Sequence, residues 1–153
     1  MTVIACDRTL KGSLAAIRIS AAAFLLVWSV DKILNTKGAQ AVFANFYFWK
    51  DAPPNILMVI GVVQTLIILA FALGLLKTWT YGAVLAMHAF STVASVGKMV
   101  PPYGPGASKL FWAAVPVLAA LAALFALRNR DRLLSLGQPT SLRSVNEGTR
   151  ERD

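Results

Sequence analysis

Cysteine and histidine are almost absent from this chain, with one of each, Cys6 and His88, in 153 residues. A single cysteine excludes an intramolecular disulfide, a Cys-x-x-Cys redox pair and a thiolate metal cluster. A single histidine excludes bis-histidine haem ligation, and no grouping of Cys, His and carboxylate in the sequence suggests a metal. Charge is scarce as well. Only 14% of residues are charged and 57% are hydrophobic, whereas a soluble domain carries about 25% charged residues. That leaves too little polar surface to cover a soluble globule of this size, and the mean hydropathy of +0.62 agrees. The expected class is an all-α polytopic membrane protein, a four-helix transmembrane bundle built as one domain.

Four long apolar runs support this. They are LAAIRISAAAFLLVWSV (14–30), ILMVIGVVQTLIILAFALGLL (56–76), WTYGAVLAMHAFSTVASVG (79–97) and LFWAAVPVLAALAALFAL (110–127). A helix needs roughly 20 residues to cross about 30 Å of hydrocarbon. The predicted spans are therefore about 14–34, 56–76, 79–98 and 109–127, within a transmembrane domain over 1–127. The first run is too long for a cleaved signal peptide, lacks a small-x-small exit and is followed by three more spans. Cys6 then lies in a short N-terminal tail as an ordinary thiol.

Four spans put both termini on one side. Near the span ends that side carries seven positive charges (Arg8, Lys11, Lys77, Arg128, Arg130, Arg132 and Arg143), against five lysines opposite (Lys32, Lys37, Lys50, Lys98 and Lys109). The positive-inside rule then predicts cytoplasmic termini in a bacterial inner membrane. The net charge of +8 does not imply nucleic acid, because six arginines fall in the tail 128–153 beside four acids. That tail reads as basic and disordered beyond its first turns. Its Arg-Asn-Arg-Asp-Arg start can rest on anionic headgroups, each cation contributing about 1 kcal/mol.

Between the first two spans, Phe43, Phe46, Tyr47, Phe48 and Trp49 crowd into seven positions ahead of Pro53 and Pro54. Such a segment is an interfacial aromatic anchor or a lid over a cavity between the helices. Lys77 and Thr78 form a tight turn that makes the second and third spans a helical hairpin. Small residues four apart (Ala70 and Gly74, Gly82 and Ala86, Ala119 and Ala123) favour close packing. Pro116 is expected to bend the fourth span.

The polar residues inside these runs are the candidate site. On a helix His88, Ser91, Thr92, Ser95, Lys98 and Met99 lie within roughly 120° of one another, one stripe that lipid would not tolerate. Arg18, Ser29 and Lys32 form a second stripe on the first span, and Gln64 and Thr65 lie near the middle of the second. Arg18, a few residues from the predicted span end, is expected to snorkel. Two readings are open. The hydroxyls, Gln64 and His88 can bond across helices as packing contacts, at about 0.6 kcal/mol each. Alternatively His88, Ser91, Thr92, Ser95 and Gln64, with Arg18 and Lys32, line a polar pocket whose imidazole holds a quinone carbonyl or passes a proton.

Two stretches, IRISAAAFLLVWSVDKILN and GVVQTLIILAFALGLLKTWTYGAVLAMHAFSTVAS, resemble the DoxX/DoxD-like family of small bacterial membrane proteins. The family's second span commonly ends in Gly-Leu and a basic residue, matched here by Gly74, Leu75, Leu76 and Lys77. The resemblance covers residues 17–127 and departs from the family pattern at Gln64, where an acid is common, and at Ser29, where a glycine is common. It implies a four-helix membrane subunit or partner in quinone-linked thiosulfate or thiol oxidation. An amide at Gln64 could not relay a proton. The alternative is a non-catalytic scaffold that anchors other membrane or redox proteins, or further copies of the chain. Four short helices without an internal repeat weigh against a small transporter.

Overall fold

A computed structural model of the chain describes residues 2–137, with side chains from Asp7 onward. Among the described residues there are helices and turns and no strand. The elements are α1 (Thr2–Leu34), α2 (Thr36–Phe46), α3 (Pro54–Ala72), α4 (Lys77–Ala94) and α5 (Val96–Met99). A 3-10 turn (Lys109–Ala113) then runs directly into α6 (Ala114–Ala126). The tail beyond Gly137, with Arg143, lies outside the described residues, as does the side chain of Cys6.

Helix α1 departs most from expectation. It has 33 residues, roughly 50 Å at 1.5 Å per residue, and so outruns a bilayer core of about 30 Å. The short N-terminal tail is instead helix from Thr2 onward. Asp7 and Lys11, four apart in the favourable order, form an ion pair along it, and Leu10 and Leu14 already pack into the core.

Three stretches are long and apolar enough to cross a membrane: Asp7–Leu34, Pro54–Ala72 and Lys109–Ala126. Helix α4 has 18 residues, but Lys77, Thr80, Tyr81, His88, Ser91 and Thr92 dilute it, and it is not one of the three. The apolar surface of these stretches faces outward. Only 11% of the last one is buried within the protein, and Val27, Val59 and Leu66 on α1 and α3 are all more than 60% exposed. A helix that is apolar all round yet uncovered by protein suits lipid as its solvent.

Helices α1, α3, α4 and α6 pack in a ring, each against the next and α6 back against α1. Inside are Leu14, Ala21, Ala22, Ile68, Phe71, Tyr81, Val84, Leu121 and Leu124. The α1–α3 contact is tight at Gly61. A methyl group there would meet Ile33 Cγ1 at 2.9 Å and the Ser29 carbonyl oxygen at 3.0 Å, so glycine permits the approach. One turn on, Thr65 Oγ1 lies 3.0 Å from Ser29 Oγ and 2.8 Å from the Gly61 carbonyl, within hydrogen-bond distance of both. Pro116 is the third residue of α6, a position where a helix needs no backbone donor. The irregularity in this span therefore lies ahead of it, in the 3-10 turn.

Candidate functional site

The polar stripe of α4 is occupied by bonds within the protein, some to neighbouring elements and some to its own backbone. His88 is 6% exposed. Its Nε2 lies 3.0 Å from the Ala114 carbonyl of α6, which can only accept, so Nε2 carries the proton. Phe24 of α1 meets the ring edge-on at 6.3 Å. Thr92 Oγ1 donates to the His88 carbonyl at 2.8 Å, and Ser95 Oγ to the Ser91 carbonyl at 2.8 Å. Ser91 Oγ lies 2.9 Å from the Tyr47 hydroxyl, and Tyr47 stacks on Phe90. The stripe then loses its regularity, because α4 ends at Ala94 and Lys98 is exposed on α5.

The remaining predicted residues lie elsewhere. Lys32 Nζ donates to the Trp28 carbonyl of its own helix at 3.0 Å, and Gln64 is half-buried on α3. Among the described residues no side-chain bond joins His88 to Gln64, Arg18 or Lys32. A shallow concavity of about 530 Å³ on α1 is lined by Val27, Trp28, Val30, Asp31 and Leu34, none of them in the stripe. The aromatic segment divides. Phe43 and Tyr47 pack on each other and Phe46 on Phe111, whereas Phe48 is 90% exposed.

Arg18 does not snorkel. Because α1 continues to Thr2, the guanidinium is far from a helix end, and its side chain is fully buried. Its Nη1 donates to Asp131 Oδ2 at 2.8 Å, and Nη2 donates to the carbonyls of Leu133 and Leu134 at 2.8 and 2.7 Å. The Tyr81 hydroxyl donates to the same Asp131 oxygen at 2.8 Å and sits 3.3 Å from Nη1. Lys77 Nζ reaches the Asp131 carbonyl. Residues 131–137 thus form a strap that turns back from α6 and crosses the α3–α4 turn. There the Leu136 amide donates to the Leu73 carbonyl at 2.9 Å, and Ser135 Oγ to the Gly74 carbonyl at 3.3 Å. Gly74 has a φ of 65°. A methyl group there would overlap Ser135 and come within 3.2 Å of Arg18 Nη1, so the turn needs glycine on both counts.

Asp131, Tyr81, Lys77, Gly74 and Ser135 were not among the predicted site residues. Two signals pointed to the pair: Arg18 is the lone charge between residues 12 and 30, and Asp131 is the lone acid between 128 and 137. The arrangement locks a segment in place. It holds no nucleophile beside a base, and no group of His, Cys, Asp and Glu able to hold a metal occurs among the described residues. No protein-family model, curated protein or solved structure matches the chain.

Proposed function

We propose that this chain is a non-catalytic membrane anchor. It spans a bacterial inner membrane four times, with α4 as the third span and both termini cytoplasmic, fixes its strap up to Gly137, and uses its last 16 residues to recruit partner proteins. One observation carries the reading. The polar side chains of α4 are engaged within the protein, His88 by the Ala114 carbonyl of α6 and Thr92 by its own helix, and the buried cation is spent on the strap, through Asp131 and the carbonyls of Leu133 and Leu134. A protein built to move electrons would keep such groups for a ligand. Flanked by α3 and α6, α4 can cross despite its polar residues, because Thr80, Tyr81, His88 and Thr92 are buried and its exposed large residues, Trp79, Phe90 and Val93, are apolar.

The DoxX-like resemblance supplies a second reading, a subunit in quinone-linked redox metabolism. What favours it is His88, a lone imidazole buried between α1 and α6. One purification separates the two. The wild type, His88→Gln and a chain ending at Gly137 are extracted gently from native membranes, and bound quinone and co-purifying proteins are quantified. The anchor reading expects no quinone that depends on His88, and partners lost with residues 138–153. Stoichiometric quinone in the wild type that disappears in His88→Gln would overturn it. A reporter active only in the cytoplasm, fused after Asp153, tests the orientation.

A further inference from the structure

We infer that the strap end of the bundle is a docking surface for anionic phospholipid, with Arg130 and Arg132 on headgroup phosphates and Leu76, Leu133, Leu134 and Leu136 at the acyl boundary. The inference rests on the membrane reading above and is independent of what the chain anchors.

The leucines supply the first observation. Leu76, Leu134 and Leu136 are 71, 75 and 68% exposed, and Leu133 is 48% exposed. All four lie in the α3–α4 turn or the strap, where a water-facing surface would carry polar residues. Two of them also sit on strained backbone. Leu76 has a φ of 44° and Leu134 a φ of 53°, a region that glycine or asparagine enters easily and a leucine enters at a cost. Placing a large apolar side chain at the tip of each turn, against the preference of its backbone, makes sense if the side chain has an apolar solvent to enter.

The second observation is charge. Arg130 and Arg132 are exposed, while the Asp131 between them is fully buried and held by Arg18 and Tyr81. The fold turns the one acid of the strap inward and both neighbouring cations outward. Arg128 lies over the Phe125 ring and bonds the Phe125 carbonyl, and Asp7 is paired with Lys11. Residues 138–153 carry three arginines and three acids, which leaves the excess positive. A zwitterionic lipid would satisfy the leucines but offers its phosphate beside a cation, with no net charge for the arginines, and a free phosphate would satisfy the arginines alone. An anionic phospholipid satisfies both.

The test begins by washing native membranes at alkaline pH. Release of the full chain would sink the membrane reading, and this inference with it. The retained protein is taken into neutral detergent, and fluorescent phosphatidylglycerol is titrated in, followed by anisotropy, with unlabelled phosphatidylglycerol, phosphatidylcholine and inorganic phosphate as competitors. Phosphatidylglycerol should displace the probe far better than the other two, and salt should weaken its binding. Arg130→Gln with Arg132→Gln should lower its affinity roughly 25-fold, about fivefold for each cation. Neither arginine bonds Asp131, so the lock survives this change. Leu134→Gly, which keeps the carbonyl that Arg18 uses, should weaken both lipids. Equal competition by phosphatidylcholine, displacement by phosphate at the same concentration as by lipid, or unchanged affinity in the arginine variant would each overturn the inference.

Discussion

Asp131→Ala should free the strap. In the folded chain Arg18 and Asp131 are both fully removed from solvent and joined at 2.8 Å. Deleting the carboxylate leaves a buried cation with only neutral acceptors, the carbonyls of Leu133 and Leu134 and the Tyr81 hydroxyl. Removing one member of a buried pair costs about 3–5 kcal/mol. The lower figure applies here, because a strap of a few residues can swing out and let water reach the guanidinium. A loss of about 3 kcal/mol raises the open population roughly 100-fold, and cleavage of an opened segment tracks that population when closing is fast. Trypsin should therefore cut after Arg132 roughly 100 times faster in Asp131→Ala than in the wild type, while sites on α1 are cut at the same rate in both.

Arg18→Met combined with Asp131→Leu supplies the internal control. Arg18 Nε and Asp131 Oδ1 are already buried without partners, so the pair is incompletely satisfied, and apolar replacements of similar size should nearly restore the wild-type stability. The two changes should thus be strongly non-additive, with a coupling of about 2 kcal/mol or more in detergent unfolding. Tyr81→Phe, which removes a hydrogen bond to the charged oxygen, should cost about 1.5–3 kcal/mol. If Asp131→Ala unfolds within about 0.5 kcal/mol of the wild type and shows unchanged cleavage after Arg132, the strap is not held by this pair.

Three further changes probe the surroundings. His88→Gln should cost less than about 1 kcal/mol in the same unfolding assay, since an amide can still donate to the Ala114 carbonyl; a larger loss would show that the imidazole does more than join α4 to α6. Gly74→Ala should destabilise by about 2 kcal/mol, from the left-handed backbone and the overlap with Ser135 together, and should also speed cleavage after Arg132. Leu134→Gly, in detergent free of anionic lipid, should gain up to about 1 kcal/mol by relieving its backbone, and a net loss would show the leucine to be packed within the protein.

Sequence periodicity captured the three stretches long and apolar enough to cross a membrane and missed what one end of the chain does to the other. The spans expected at 56–76 and 109–127 compare with Pro54–Ala72 and Lys109–Ala126. Pro53 and Pro54 set a start that suits a first helical turn, and Gly74 sets a stop. Gly61 and Thr65, four apart and packed against Ser29 of α1, were readable by the same rule. Arg18 was misread for a specific reason. Its apparent freedom to snorkel rested on a helix beginning near residue 14, and with α1 beginning at Thr2 the guanidinium lies about 24 Å from the helix start, beyond any side chain's reach. Its partner is 113 residues away in sequence, a separation no helical pattern reports. Charge elimination could still have narrowed the search. Of the seven acids in the chain, Asp31 and Asp51 belong to the opposite end of the bundle, and Asp7 has Lys11 one turn away. Four remain, all beyond the last span, and Asp131 is the nearest to it. A buried arginine in a membrane helix needs an anion, so the strap follows from that one residue once its depth is known.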